Sequence, residues 1–259
     1  MLKKLNIAKK LLFLTSVTSL LISCGNSKKE TMNNQTETKR NLFVFFGAPG
    51  CGKGTLAQRA AKELNFTTLS TGDLCRQNIE KGTDLGKELK SFLDRGALVP
   101  DEIVSNMVKV WLGEQLANSN PIILDGYPRT KAQAETLIKL LEEPKLKTFN
   151  LKVVKISIAE NSVVDRISNR VVCENKKCQV VYSLKAKPPV KEGICDSCGS
   201  KLIKRKDDSE EIVRSRFKTY QATESEILNF FKEHAITIND ISAEQPINNV
   251  FEDFKKIIK

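Results

Sequence analysis

A single histidine, His234, stands among 259 residues, and that scarcity removes several chemistries at once. One imidazole cannot furnish a three-histidine metal centre, a finger with two cysteine and two histidine ligands, or an H-E-x-x-H protease helix. Long apolar runs are short too: the stretch Leu11 to Ile22 covers about a dozen residues, where a membrane-spanning helix needs roughly 20. Acidic residues are outnumbered, 31 against 42 Lys and Arg, a net charge of +11 that suggests phosphates, nucleic acid or a bilayer surface as partners without choosing among them. The length suits one sizeable domain with additions, or two modest ones.

The excess charge is unevenly placed. The first forty residues hold eight Lys or Arg and two acids, so +6 of the +11 lies there and the rest of the chain is only mildly basic. That distribution weakens a nucleic-acid reading of the globular part. Lys3, Lys4, Lys9 and Lys10 precede the apolar stretch, and residues 1–23 read as a secretion signal. The stretch ends in Leu21-Ile22-Ser23-Cys24, which resembles the lipobox of bacterial lipoproteins and implies lipidation of Cys24 and a membrane-anchored protein. Residues 24–40 are polar and lack apolar periodicity, the pattern of a tether. The competing reading is an upstream extension that never acts as a signal, with translation starting at Met32 and a cytoplasmic protein.

Asn41 to Phe46 is a nearly continuous apolar, β-prone run, the pattern of a strand buried on both faces of a parallel sheet. Gly47-Ala48-Pro49-Gly50-Cys51-Gly52-Lys53-Gly54-Thr55 follows at once, then a stretch with helical spacing. Strand, glycine loop, helix is the context a P-loop requires. Glycines let successive N–H groups point at one centre, the helix N-terminus adds a positive dipole end, and Lys53 adds a full charge. Gly54 stands where Ser or Thr usually follows the lysine.

Further along, Thr71-Gly72-Asp73-Leu74-Cys75-Arg76 and Gly96 to Asp101 are weak signals alone. Pro121 to Arg129 gives a second buried strand ending in Asp125, then Gly126-Tyr127-Pro128-Arg129, with Gln133 four positions later. An Asp at a strand end beside a P-loop organises Mg²⁺ and its waters. Arg166 and Arg170 are four apart and share a helical face, while Arg205, Arg214 and Arg216 follow later.

The motifs G-A-P-G-C-G-K-G-T, T-G-D-L-C-R, D-G-Y-P-R-T-x-x-Q, V-D-R-I-x-x-R and R-K-D-D-S-E-E-x-V-R-x-R resemble those of adenylate kinases over residues 41–259. The resemblance implies an α/β P-loop kinase with a central parallel β-sheet flanked by helices, acting as a monomer on ATP and AMP to give ADP, with Mg²⁺. It implies an AMP-binding helical segment at residues 70–99 and a lid at residues 169–207. By the same resemblance Gly50, Cys51, Gly52, Lys53, Gly54, Thr55, Arg166, Arg170, Val181, Tyr182 and the carbonyl of Gln245 meet ATP. Thr71, Arg76, Ala97, Leu98, Val99, Gly126, Tyr127, Pro128, Arg129 and Gln133 meet AMP, with Arg205 and Arg216 reaching the phosphates. Lys53, Asp125, Arg129, Arg170, Arg205 and Arg216 form the implied catalytic set, while Arg214 matches a less critical, solvated position. A side-chain amide offers both donor and acceptor, which suits Gln133 to the edge of adenine.

Cys173-x4-Cys178 and Cys195-x2-Cys198 have the spacing of a four-cysteine zinc ribbon. Relatives with a metal-bound lid usually show C-x2-C in the first pair, so two residues are added here. Two alternatives stand beside zinc: oxidation to two disulfides in an exported protein, and a nucleic-acid-binding ribbon. Another nucleoside monophosphate as acceptor, or a tethered nucleotide-binding module without turnover, competes with the kinase reading.

Overall fold

A computed structural model of the chain describes residues 39–95, 97–205 and 207–259. Cys24, the signal expected at residues 1–23 and nearly all of the expected tether lie outside the described residues.

Strand β1 spans Arg40–Gly47 and is followed by α1 (Lys53–Leu64), β2 (Thr67–Ser70), α2 (Thr71–Glu80), α3 (Asp84–Asp94) and α4 (Asp101–Glu114). Then come β3 (Ile122–Asp125), α5 (Lys131–Glu142), β4 (Phe149–Ser157) and α6 (Glu160–Ser168). The short strands β5 (Arg170–Cys173), β6 (Val181–Ser183) and β7 (Leu202–Ile203) precede α7 (Glu210–Glu233), β8 (Thr237–Ser242) and α8 (Ile247–Ile258). Among the described residues no helix is long and apolar enough to cross a membrane.

Five strands form one parallel sheet in the order β2-β3-β1-β4-β8. Alternate residues of β1 feed two cores, as a strand with period two must. Leu42, Val44 and Phe46 pack with residues of α4, α5 and α7 on one face. Phe43 and Phe45 pack with α1 and α8 on the other, where Phe254 makes edge contacts with both rings. Both faces of the sheet are therefore covered, which is why β1 reads as an uninterrupted apolar run.

Registry brings the strand ends to one edge: Ser70 lies opposite Asp125, Phe45 opposite Asp125, Gly47 opposite Ile156, and Ser157 opposite Ser242. From adjacent β1 and β3 the chain leaves in opposite directions, to β2 on one side and β4 on the other, the arrangement that opens a crevice at the carboxyl ends of a parallel sheet. Side-chain caps start the helices around that crevice: Ser70 accepts from Asp73 N, Thr130 from Gln133 N, and Ser209 from Ile212 N.

A separate three-stranded antiparallel sheet, β6-β5-β7, carries Cys173 on β5 and Cys178, Cys195 and Cys198 in its connecting loops. Its small core holds Val171, Cys173, Tyr182, Cys195 and Leu202. One boundary differs from the sequence reading. Arg40, expected in the tether, is the first residue of β1, where its guanidinium donates to Gln115 O at 2.8 Å and to Asn120 O.

Candidate active site

The loop between β1 and α1 is shaped by its glycines. Gly50 has φ near +80°, and a Cβ there would lie 2.6 Å from the Ile167 side chain, so only glycine fits. A Cβ on Gly54 would stand 3.3 Å from Asp125 Oδ2. This crowding gives a physical reason for the departure from Ser or Thr after the lysine: the bare residue leaves room for the carboxylate at the end of β3.

Lys53 donates from Nζ to Gly47 O at 2.8 Å and to Ala48 O at 2.9 Å. The ammonium thus lies across the mouth of the loop. Thr55 is exposed on the first turn of α1, while the Cys51 thiol is buried and fills space beneath the loop.

Asp125 and Arg129 lie within one field of charges. Burial pushes the Asp125 carboxyl above its usual range, against the opposing pull of Lys53, Arg129 and Arg205. Burial lowers Arg129, partly offset by Asp125, and the neighbouring charges of Arg216 and Arg76 act in the same direction as burial. Arg205 is brought down to about 10 by burial first and then by Arg76 and Arg170. Mutually repelling cations from α2, the β3–α5 loop, β5, the β7–α7 loop and α7 are therefore gathered at the crevice. Such a cluster lowers its energy by taking up a polyanion.

Carboxylates occupy that cluster in this conformation. Arg170 forks onto both oxygens of Asp208, Arg216 meets Asp207 at 2.8 Å, and Arg76 meets Asp73, which lies 3.8 Å from Arg205. The sequence reading assigned no role to Asp73, Asp207 or Asp208. An acid beside an arginine in T-G-D-L-C-R and in R-K-D-D was the available signal.

The remaining expected residues fall into three groups. Thr71 is buried and donates to Gly126 O at 2.9 Å, and Arg129 Nε donates to the same carbonyl at 2.8 Å. Ala97, Leu98 and Val99 follow α3 as a loop, with Ala97 N bonded to Phe92 O at 2.9 Å. Arg166 bridges two loops, donating to Cys51 O at 3.0 Å and to Ala243 O, while the Gln245 side chain bonds Ser242 O and Asp253.

Tyr182 and Arg214 are placed differently from expectation, and Gln133 has protein partners that the sequence did not announce. The Tyr182 ring is 4% exposed and packs in the core of the small sheet, its hydroxyl accepting from Asp196 N at 2.8 Å. In this conformation the ring is held by the core of the small sheet and its hydroxyl by Asp196 N, which leaves the main chain of Val181 and Tyr182 as the part free to face a nucleotide. Gln133 is 2% exposed and its amide is engaged by the protein, with Oε1 accepting from Arg129 N and Nε2 donating to Asp101, both at 2.7 Å. Tyr127, buried nearby, donates its hydroxyl proton to Gln133 O at 3.0 Å, and its oxygen accepts from the Ser105 hydroxyl at the same distance. Arg214 is not simply solvated: it pairs with Glu160 at 3.1 Å and Glu210 at 2.9 Å.

The sulfurs of Cys173, Cys178, Cys195 and Cys198 all lie within 4.8 Å of one another. Cys173 and Cys198 are 3.4 Å apart and Cys178 and Cys195 3.7 Å, and all four are free thiols. Four bonds of about 2.3 Å around a tetrahedral zinc ion set sulfur edges of about 3.8 Å, so the donor set fits that metal. The two added residues are absorbed by a turn in which Cys178 N and Gln179 N both donate to Asn175 O at 2.9 Å. His234, by contrast, caps α7 against Phe230 and takes no part in either site.

A family model described as adenylate kinase matches residues 45–236. The chain is 41% identical over 217 residues to an adenylate kinase of Petrotoga mobilis, an alignment covering 84% of this chain and 97% of the relative. It is 38% identical to those of Caldicellulosiruptor bescii, over 83% of this chain and 98% of the relative, and Archaeoglobus fulgidus, over 84% and 97%. A glycine loop with its lysine, an acid at the end of the neighbouring strand, a ring of arginines and matches of this breadth agree, and the chain belongs to the adenylate kinase family.

Proposed function

We infer that the protein is an ATP:AMP phosphotransferase, moving the terminal phosphoryl group of ATP to AMP and forming two ADP reversibly, a reaction that balances the adenine nucleotide pool. The observation that carries this reading is the gathering of Lys53, Arg129 and Arg205 about Asp125, with Arg76, Arg170 and Arg216 close enough to act on Arg129 or Arg205. Phosphoryl transfer asks the protein for little covalent chemistry and much charge placement.

ATP lies with its phosphates over Gly50 to Thr55 and its base near Arg166 and the Gln245 carbonyl. AMP lies between Thr71, Arg76, the Ala97–Val99 loop and Gly126 to Arg129, with its base toward the Gln133 amide. As phosphates arrive, they replace Asp207, Asp208 and Asp73 as partners of the arginines, exchanging one set of forked, charge-assisted hydrogen bonds for another. Lys53 leaves the carbonyls of Gly47 and Ala48 for the transferring group. The half-buried carboxylate of Asp125 suits a hard cation through its waters, and Mg²⁺ held there would neutralise charge on the phosphate oxygens. Closing the cysteine-bearing lid over ATP excludes water that would otherwise accept the phosphoryl group.

The same proposal places zinc in the four-thiolate site of the lid, where it fastens strands too short to hold each other by burial. It also takes the protein to be a monomer carrying a lipid on Cys24, an anchor supported by the basic, apolar and Cys-terminated order of the first residues. Mass spectrometry of the mature N-terminus tests the anchor: a diacylated Cys24 supports it, and an N-terminus at Met1 or Met32 rejects it. Assays of ADP formation from ATP with AMP, CMP, UMP and GMP in turn test the reaction. Efficient transfer only to AMP supports it, whereas preference for another acceptor or an absence of turnover rejects it.

A further inference from the structure

Two partners of opposite character hold the Gln133 amide. The N–H of Arg129 donates to Oε1 at 2.7 Å, and Nε2 donates to Asp101 Oδ1 at 2.7 Å. A main-chain N–H only donates and a carboxylate only accepts. Turning the amide over would set donor against donor and acceptor against acceptor in a buried place, where an unmade hydrogen bond is costly. Asp101 is itself fixed: it opens α4, and its Oδ2 accepts from Thr130 Oγ1 at 2.7 Å, a hydroxyl that caps α5 by accepting from Gln133 N at 3.1 Å.

We propose that Asp101 is a specificity-determining positioning residue, locking the Gln133 amide in the orientation that matches a 6-aminopurine and mismatches a 6-oxopurine. The inference rests on the reading of Gln133 as the group that meets the AMP base. Among the described residues the amide keeps one N–H and one lone pair beyond its two protein partners. Adenine presents an acceptor at N1 and a donor at its 6-amino group, so it takes the N–H at the first and the oxygen at the second. Hypoxanthine and guanine present the reverse, a donor at N1 and an acceptor at O6, and need the amide turned over. A freely rotating glutamine would serve both classes. Asp101 and the Arg129 N–H together remove that freedom.

The test compares kcat/KM for AMP and for inosine monophosphate, at saturating ATP, in the unaltered protein, Asp101→Ala and Asp101→Asn. Asparagine keeps an oxygen for Gln133 Nε2 and offers its NH₂ to the Thr130 hydroxyl. For Asp101→Ala the expected result is an AMP KM raised about tenfold, a KM for ATP within about twofold of the original, and a preference for AMP over inosine monophosphate reduced about tenfold. Asp101→Asn retains most of that preference. Should the alanine variant melt early, Asp101→Ser, too short to reach Gln133, reads the same ratio. An unchanged ratio, equal losses on both acceptors, or an asparagine variant as indiscriminate as alanine overturns the proposal. If the unaltered protein makes no ADP from AMP, the kinase reading itself fails; if it does and the ratio stays fixed in the variants, the lock alone fails.

Discussion

Lys176, inside the lengthened first cysteine pair, reaches Glu80 at the end of α2, with Nζ 3.0 Å from Oε2. The lengthened turn therefore sets a positive charge against the end of α2. With Arg205 at 3.8 Å from Asp73, the pair joins the two parts expected to close over the two nucleotides. Both side chains are substantially exposed, and such pairs are worth roughly 0.2–1 kcal/mol. Lys176→Ala and Glu80→Ala should each change kcat by less than about fivefold, more at low salt than at high, and the double variant should match the singles. Fully additive effects, measured as a double-mutant cycle, would contradict a direct pairing.

Arg129 is exposed at the crevice among the other cations, and among the described residues its guanidinium makes one hydrogen bond to the protein, to Gly126 O. Arg129→Ala should lower kcat by about 10² to 10³ while leaving the thermal midpoint close to the original. A loss under about tenfold would count against its placement at the transferring phosphoryl group.

Asp207 and Asp73 impose a sign on the acid side of the stability profile. Burial alone would raise both, but the charge and hydrogen bond of Arg216 on Asp207, and of Arg76 on Asp73, outweigh it and hold each below the usual 3.8. A group with a depressed folded pKa stabilises the fold above its unfolded value, and that contribution disappears as pH falls through the folded one. Thermal midpoints should be level above about pH 5 and drop below about pH 4. Asp207→Asn should begin lower at neutral pH and lose less on acidification. Parallel profiles for the two proteins would contradict the assignment.

The thiolate site gives a prediction about metal. Protein purified without chelator should carry about one zinc ion per chain, and stripping it should lower the thermal midpoint by about 5 °C or more. The core around β1 does not include the four clustered cysteines of the small sheet and its loops, so far-ultraviolet circular dichroism at low temperature should change little. Full retention of the midpoint after metal loss would show that the lid stands on burial alone.

Much of this architecture was legible in the amino-acid order because it rests on local patterns. Asn41 to Phe46 is apolar without alternation since both faces of β1 are covered, and the glycine loop must follow a strand to present its N–H groups. The cysteines declare their site by spacing. What escaped is made of partners distant in sequence. Nothing local says that Asp208 will fork onto Arg170, that the Gln133 amide will turn inward to Asp101, or that Arg40 will start β1 by capturing carbonyls of residues 115 and 120. Tyr182 shows the same limit, since its place in the lid depends on Cys195 and Leu202 coming back beside it.

The central claim, two adenine nucleotides lying tail to tail across the arginine cluster, is tested most directly by calorimetric titration with a dinucleotide in which a polyphosphate chain joins two adenosines. The account predicts one such molecule bound per chain, displaced competitively by ATP and by AMP. Failure to bind zinc-loaded protein, or displacement by only one of the two nucleotides, would contradict it.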